Sequence, residues 1–132
     1  MRTLNILVVD DEPRVREMVC DMLHQENHRV DTCCCGIEAL HKLRGDGIDL
    51  VITEYWLPGT SGGELAAIAK NQSIPRRVIL MTSHLPRQEL PCVDAVLLKP
   101  FSLTQLRHAI EDVMSLRLTA RSVSAAPDAL PR

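Results

Sequence analysis

Five short apolar runs, each followed by a segment of helical character, constrain the fold of this 132-residue chain more than any other feature. Most of the runs are rich in Ile, Leu and Val, which is typical of strands that are covered on both faces. The runs are Asn5–Val9, His28–Cys34, Leu50–Thr53, Val78–Met81 and Ala95–Leu98. Strands that alternate with helices pair in parallel through right-handed crossovers. The sequence therefore predicts a single α/β domain built on a doubly wound, five-stranded parallel sheet.

The intervening helices are predicted from apolar residues at spacings of three and four and from capping residues. Pro13 opens the first helix, Gly36 starts the second, and Glu64–Lys70 has helical character. The closing helix has Ser102 as its N-cap, and Gln105 completes a capping box. The predicted inner faces are Val15, Met18, Val19, Met22 and Leu23 in the first helix, Ile37, Leu40 and Leu43 in the second, and Leu106, Ile110 and Val113 in the last.

Charge and hydropathy exclude several classes of protein. The formal net charge of -2 offers no basic surplus for a phosphate backbone, so direct nucleic-acid binding is not expected. Asp10 interrupts the apolar start of the chain too early for a signal peptide, and no run approaches the roughly 18 to 20 apolar residues of a membrane span. We therefore expect a cytoplasmic protein without a membrane partner. From about Thr119 the composition loses its periodicity, which predicts a folded domain over residues 1–118 and a disordered tail or linker over 119–132.

Three consecutive cysteines, Cys33, Cys34 and Cys35, end the second predicted strand. The total of five cysteines is odd, so a disulfide framework is not expected. A metal or redox site is one interpretation of the cluster, but no Cys-x-x-Cys pair and no suitably spaced histidine accompanies it. The pattern favours the other interpretation, in which small buried side chains end a strand.

Polar residues follow four of the predicted strands. Asp10 and Asp11 end the first, Glu54 the third, Thr82 the fourth and Lys99 the fifth. Each has a structural explanation on its own, such as a cap or a turn, but the carboxyl ends of parallel strands meet at one edge of the sheet. Three converging carboxylates repel one another, and a hard divalent cation such as Mg²⁺ relieves that repulsion. With a lysine and a hydroxyl beside the cation, the set indicates phosphoryl transfer to a carboxylate.

These residues stand in four segments that resemble the receiver domains of bacterial two-component response regulators. The segments are Val8–Glu12, Asp49–Gly59, Met81–Ser83 and Lys99–Phe101, and the resemblance covers roughly residues 4–118. It implies a flavodoxin-like, CheY-like fold with strand order 2-1-3-4-5. It also implies that a sensor histidine kinase or a phosphotransfer protein donates the phosphoryl group, and that an output domain or partner protein reads the result. The only chemistry implied is autocatalytic phosphoryl acceptance from such a protein or from a small phosphodonor.

The resemblance assigns a role to each residue at the predicted edge. Glu54 falls on the phosphoacceptor position, and the main-chain carbonyl of Trp56 falls on the third protein ligand of the metal. Asp10 and Asp11 correspond to the acidic pair that holds Mg²⁺. The switch hydroxyl and the phosphate-binding lysine correspond to Thr82 and Lys99, and the second switch position corresponds to Val96.

Glu54 is the main departure from the family pattern, which has Asp at this position. One additional methylene moves the carboxylate outward by about 1.5 Å, the length of a carbon–carbon bond. A displacement of about 1 Å at a reacting centre costs on the order of a hundredfold in rate. Conversely, the longer carboxylate can approach Thr82 and Lys99 and partly imitate the phosphorylated state.

Two further departures concern the switch itself. Val96 occupies a position that is commonly aromatic in the family, so the usual rotamer readout is missing. Only sixteen residues separate Thr82 from Lys99, and Pro86 and Pro91 fall among them, which predicts a shortened fourth helix.

Two hypotheses fit these observations, and a metal-dependent phosphatase is a distant third. The first is a slow phosphoryl-accepting receiver, which explains the retained acidic pair and lysine. The second is a pseudo-receiver, an interaction module that acts independently of phosphorylation, which explains the departures. His84 and Trp56 lie beside the site and could modulate the access of water to it. A simple surface role is favoured for His84, whereas for Trp56 a packing role is as well supported as a shielding or contact role.

Overall fold

The computed structural model describes residues 2–45 and 47–116 of the chain. The predicted tail over residues 119–132 lies outside the described residues. None of the described helices is long and apolar enough to cross a membrane. The elements in chain order are β1 Asn5–Val9, α1 Pro13–Gln25, β2 Arg29–Cys33, α2 Gly36–Leu43, β3 Leu50–Glu54, β4 Trp56–Leu57, β5 Thr60–Ser61, α3 Gly62–Lys70, β6 Arg77–Thr82, β7 Ala95–Leu98 and α4 Leu103–Met114.

The main sheet has five parallel strands in the order β2-β1-β3-β6-β7. Counted among the five predicted runs, this is the order 2-1-3-4-5, so the predicted fold is confirmed. The register pairs Val9 with Cys33 on one side and with Thr53 on the other, and it pairs Glu54 with Met81. The ends of β1, β2, β3 and β6 therefore lie side by side.

Two apolar layers enclose the sheet, one on each face. α1 and α4 cover one face, where Leu106, Ile110 and Val113 form the buried side of α4 as predicted. α2 and α3 cover the other face, largely through small or aliphatic side chains such as Ala39 and Leu65. Helices on both faces are the reason that the central strands are apolar throughout rather than alternating.

The loop after β3 contains more structure than the sequence indicated. β4 and β5 form a short antiparallel hairpin in which Trp56 pairs with Ser61 and Leu57 pairs with Thr60. Its turn contains Gly59 at a positive φ of 81°, a conformation that residues with a Cβ rarely adopt. A Pro-Gly pair is typical of an ordinary loop, and strands of two residues are too short to give a pattern in the sequence. The hairpin was therefore not predicted.

The prediction of a shortened fourth helix is wrong, because the described residues between β6 and β7 form no helix at all. Pro86 and Pro91 interrupt any helical hydrogen-bond ladder in this segment. Instead, the side chain of Asp94 forms an ion pair with Lys70 of α3 and accepts a hydrogen bond from the Val78 main-chain N–H at 2.8 Å. Polar contacts hold the segment where a packed helix was expected.

Candidate functional site

Lys99 joins two carboxylates at the carboxyl edge of the sheet. Its Nζ lies 2.7 Å from Oδ2 of Asp10, which follows β1, and 2.8 Å from Oε1 of Glu54, which ends β3. Asp10 and Glu54 are buried. The structure thus brings together residues from three strands that the sequence placed on a common edge.

The second carboxylate oxygen of Glu54 is also engaged. Its Oε2 accepts hydrogen bonds from the main-chain N–H of Tyr55 at 2.7 Å and from that of Trp56 at 3.1 Å. The additional methylene allows the side chain to fold back over the start of the next segment while it still reaches Lys99. Both oxygens of the proposed phosphoacceptor position are therefore occupied by donors from the protein itself.

The charges at this edge stabilise one another. Burial alone would raise the pKa of Glu54. The pKa is nevertheless lowered, because hydrogen bonding by Lys99, Thr82 and the Trp56 N–H and the positive charge of Lys99 together outweigh burial. Burial opposes the ammonium of Lys99 as well, yet hydrogen bonds to Asp10 and Glu54 raise its pKa above the usual value. Glu54 is therefore a carboxylate and Lys99 an ammonium at neutral pH.

The carboxylates of Asp10 and Asp11 do not converge on one point with Glu54 as the sequence predicted. Oδ1 of Asp10 accepts a hydrogen bond from the Glu12 N–H at 2.9 Å, and Asp11 is exposed at the rim of an open cavity that Trp56 also lines. Within the described part of the chain, no set of three ligand atoms lying within 4.8 Å of one another includes Asp10, Asp11 or Glu54. Oxygen donors suit Mg²⁺, but in this conformation Lys99 already supplies the positive charge between Asp10 and Glu54.

Thr82 and Trp56 both donate hydrogen bonds to the main chain of His84. The Thr82 hydroxyl donates to the His84 carbonyl at 3.1 Å, and the indole Nε1 of Trp56 donates to the same oxygen at 2.8 Å. The Trp56 ring packs edge-on against Tyr55 with the ring centroids 4.7 Å apart, and it remains 54% exposed. His84 contributes to the site through its carbonyl oxygen, while its side chain lies in an exposed position.

Val96 lies on the edge strand β7, where it is 42% exposed. Leu98, two residues further along the same strand, is also exposed. Both side chains lie on the face that a helix between β6 and β7 would cover. The predicted second switch position therefore carries a small aliphatic side chain at an open edge rather than an aromatic side chain.

The three consecutive cysteines do not share one environment. Cys33 is buried in the core, and burial raises the pKa of its thiol to about 12. Cys34 is exposed and Cys35 is partly exposed at the start of α2. The expectation of small buried side chains is correct for Cys33 and wrong for the two residues that follow, because the strand ends at Cys33 and the chain turns outward.

Sequence reasoning missed contacts that the main chain makes around the site. Arg16 donates from Nη1 to the Asp10 carbonyl at 2.6 Å, and the Asp10 N–H donates to the Cys33 carbonyl at 3.2 Å. An arginine in the first turn after an Asp-Asp-Glu-Pro segment was the only available signal for the first contact. No sequence signal indicated the second, because it depends on the pairing of β1 with β2.

Comparison with known proteins identifies the family. The profile described as "Response regulator receiver domain" matches residues 6–111. The transcriptional regulatory protein TcrA of Mycobacterium tuberculosis is 32% identical over 108 residues, which cover 78% of this chain but 43% of TcrA. The chain therefore spans less than half the length of this relative.

Two solved structures of the response regulator TrrA agree with this result. One, from Thermotoga maritima in complex with Mg²⁺–BeF, is 33% identical with a TM-score of 0.77 over 84% of this chain and 99% of TrrA. The other shows TrrA in complex with the histidine kinase ThkA, at 33% identity and a TM-score of 0.76 over 86% of this chain and all of TrrA. The chain belongs to the receiver domains of two-component response regulators.

Proposed function

We propose that this receiver domain signals through protein–protein contacts without accepting a phosphoryl group. One observation carries the proposal: Lys99 and the Tyr55 and Trp56 amides occupy both oxygens of Glu54. A nucleophilic carboxylate needs a free lone pair directed at the phosphorus atom, and Glu54 is only 7% exposed. The three donors use three of the roughly four lone-pair positions of the carboxylate, and burial restricts the approach of a phosphorus atom to the position that remains.

A fixed carboxylate in this position has a second consequence. The longer side chain of Glu54 carries its negative charge further out than an Asp would, towards the position of a phosphoryl group on a shorter acceptor, and this charge lies 2.8 Å from the Lys99 ammonium. The charge is present without a donor, so we propose that the domain rests in a single conformation. The small side chain of Val96 and the absence of a described helix before β7 are consistent with the loss of a phosphorylation-dependent readout.

The partner follows from the family rather than from a visible interface. TrrA binds the histidine kinase ThkA in the solved complex, and we propose that a histidine kinase or phosphotransfer protein in the cytoplasm is the partner class here as well. Contact with such a protein does not require transfer of the phosphoryl group. An output domain or a separate protein would then respond to the bound complex.

Magnesium has a reduced role in this proposal. Asp10, Asp11, Glu54 and the carbonyl of Trp56 are the residues that would hold Mg²⁺, which would supply positive charge to neighbouring oxygen atoms. Lys99 competes with Mg²⁺ for the Asp10 carboxylate, because the Lys99 ammonium already lies 2.7 Å from Oδ2 of Asp10. We therefore propose weak binding that the fold does not require.

The test compares the natural chain with Glu54→Asp after incubation with Mg²⁺ and acetyl phosphate. Intact mass spectrometry at short times detects a gain of one phosphoryl group. We expect no gain in the natural chain and a gain in Glu54→Asp, because the shorter carboxylate loses the two amide contacts and faces the metal pair. Asp10→Asn in the Glu54→Asp background is the matched control, and it should remove the gain.

The alternative is a slow phosphoryl acceptor, which the retained Asp10, Asp11, Thr82 and Lys99 favour. A mass gain in the natural chain that is lost in Glu54→Gln would establish this alternative and refute our proposal. A gain in neither protein would mean that the departures outside Glu54 are sufficient to prevent the reaction.

A further inference from the structure

The second candidate site lies at the junction of β2 and α2, outside the Lys99 ion pairs. Its residues are Cys34, Cys35 and Glu38, each of which offers one ligand atom within 4.8 Å of the other two. In the described part of the chain, no other three His, Cys, Asp or Glu side chains are arranged in this way. We propose that these three residues form a binding site for a thiophilic divalent cation, and that Zn²⁺ is the ion that fits best.

One ligand-to-ligand distance, which is also that of a thiol–carboxylate hydrogen bond, fits a tetrahedral site. Sγ of Cys34 lies 3.7 Å from Oε1 of Glu38. With zinc–sulfur and zinc–oxygen bonds of about 2.3 Å and about 2.1 Å, two ligands of a tetrahedral zinc ion are about 3.6 Å apart. The Cys34 and Glu38 atoms therefore lie at the separation that zinc requires. Two thiolates, one carboxylate and a water molecule would complete the coordination.

The backbone orients these side chains. Cys35 is the N-cap residue of α2 in an extended conformation, and its side chain makes no capping hydrogen bond. Glu38 lies in the first turn, where its Oε1 accepts a hydrogen bond from the Cys34 main-chain N–H at 3.2 Å. The thiol of Cys35 is therefore not used by the helix, and the carboxylate of Glu38 is held beside Cys34.

The charge environment favours a cation. Hydrogen bonding to Cys35, the negative charge of a Cys35 thiolate and the nearby Glu38 raise the pKa of Cys34. Two thiols and a carboxylate placed this close together are stabilised when a divalent ion binds among them, with release of the thiol protons. A mixed set of two sulfurs and one oxygen is suited to Zn²⁺ rather than to Mg²⁺ or Ca²⁺.

The proposed zinc site lies next to the candidate site around Lys99 without sharing its side chains. The Cys33 carbonyl, directly before Cys34, accepts the hydrogen bond from the Asp10 N–H. A Cβ on Gly36 would lie 1.9 Å from Cγ2 of Thr60, so the start of α2 packs tightly against β5. An ion at Cys34 and Cys35 would therefore restrain the residues that follow β2. These residues lead into Gly36, which packs against the hairpin beside Glu54.

The test titrates the reduced 132-residue chain with Zn²⁺ in competition with a chromophoric chelator, and repeats the titration with Co²⁺. We expect one equivalent of Zn²⁺ and a thiolate-to-cobalt charge-transfer band in the near ultraviolet. Cys34→Ser or Cys35→Ser should abolish the band and stoichiometric binding. Glu38→Gln should weaken binding by about tenfold or more, as losses around metal ligands commonly do. Cys20→Ser and Cys92→Ser, which change partly buried cysteines elsewhere, should change nothing.

Several results would overturn the proposal. The first is that the reduced chain does not bind Zn²⁺, and the second is that Zn²⁺ still binds to both Cys34→Ser and Cys35→Ser. The third is that binding is lost in Asp11→Asn instead, which would place the ion at Asp10 and Asp11. A Cys34–Cys35 disulfide that is the only measurable chemistry of the cluster would also overturn it. Circular dichroism of each variant confirms that the fold is intact, so a loss of binding reports on the site.

Discussion

Lys99 determines the charge balance at the carboxyl edge of the sheet. It is the cation that lies within hydrogen-bonding distance of both Asp10 and Glu54, and its side chain is 14% exposed. Water screens such a cluster poorly, so the loss of one partner leaves the others with an uncompensated cost of burial. The energetic importance of Lys99 is therefore much greater than that of an ion pair on the surface.

We predict that Lys99→Met lowers the free energy of unfolding by about 3 kcal/mol, because two buried carboxylates then lose their shared cation. Lys42→Met is the matched control, since Lys42 pairs with Asp31 at 3.0 Å but the Asp31 side chain is 53% exposed. The control should cost less than about 1 kcal/mol. Urea denaturation followed by circular dichroism measures both values. Equal losses in the two variants would show that Asp10 and Glu54 bear no additional cost of burial when Lys99 is removed.

At the scale of single residues, the sequence predicted positions better than contacts. Asp10, Glu54, Thr82 and Lys99 could be placed at one edge because each follows a strand of predictable length. Their partners could not be predicted: the Oε2 contacts of Glu54 depend on how the main chain turns after β3, and the exposure of Cys34 depends on where β2 ends. Such facts follow from the tertiary structure and leave no local pattern in the sequence.

At the scale of elements, the segment between β6 and β7 is the largest departure from a regular doubly wound domain. Without a described helix there, a buried ion pair joins the end of the segment to α3, through Asp94 and Lys70. Tyr55 also contacts the segment, by donating a hydrogen bond from its hydroxyl to Oε1 of Gln88 at 3.0 Å. These polar contacts tie the segment to both α3 and the loop that follows β3.

We predict that Asp94→Ala destabilises the domain by about 3 kcal/mol, because Lys70 loses a buried charge partner and the Val78 N–H loses its acceptor. Glu89→Ala, in an exposed position of the same segment, should change stability by less than about 0.5 kcal/mol. Hydrogen exchange measured by mass spectrometry should show faster exchange in the segment for Asp94→Ala only. Unchanged exchange in that variant would mean that other contacts hold the segment.

All five strands of the main sheet were predicted, whereas the inner faces of the helices were predicted with less success; in α1, Met18 was assigned to the inner face but is 38% exposed. α4 was predicted with its capping box and its buried face, and both are present in the structure. In α2 only eight residues are helical, and Ile37, which was assigned to the inner face, is 69% exposed while Ala39 is buried. Two turns of helix do not contain enough apolar residues to define which side faces the core.

At the scale of the whole molecule, two apolar layers pack on one sheet, and we expect the described residues to unfold as a single cooperative unit. The layer under α1 and α4 reaches the C-terminal end of the described chain, where Ile110 and Val113 are each 1% exposed. Arg77 of β6 donates a hydrogen bond from Nε to the Val113 carbonyl at 2.8 Å, which fixes the end of α4 to the sheet. The last turn of α4 is therefore part of the core.

We propose that the domain ends near residue 118, as the sequence pattern indicated, and we predict that a chain ending there keeps its melting temperature. A chain ending at residue 109 is the control, since it lacks Ile110 and Val113. Loss of a buried aliphatic side chain costs about 2 to 5 kcal/mol, and a domain of this size is stable by about 5 to 15 kcal/mol in total. The shorter chain should therefore lose cooperative unfolding. A large drop in melting temperature for the chain ending at residue 118 would show that the remaining residues contribute to the fold.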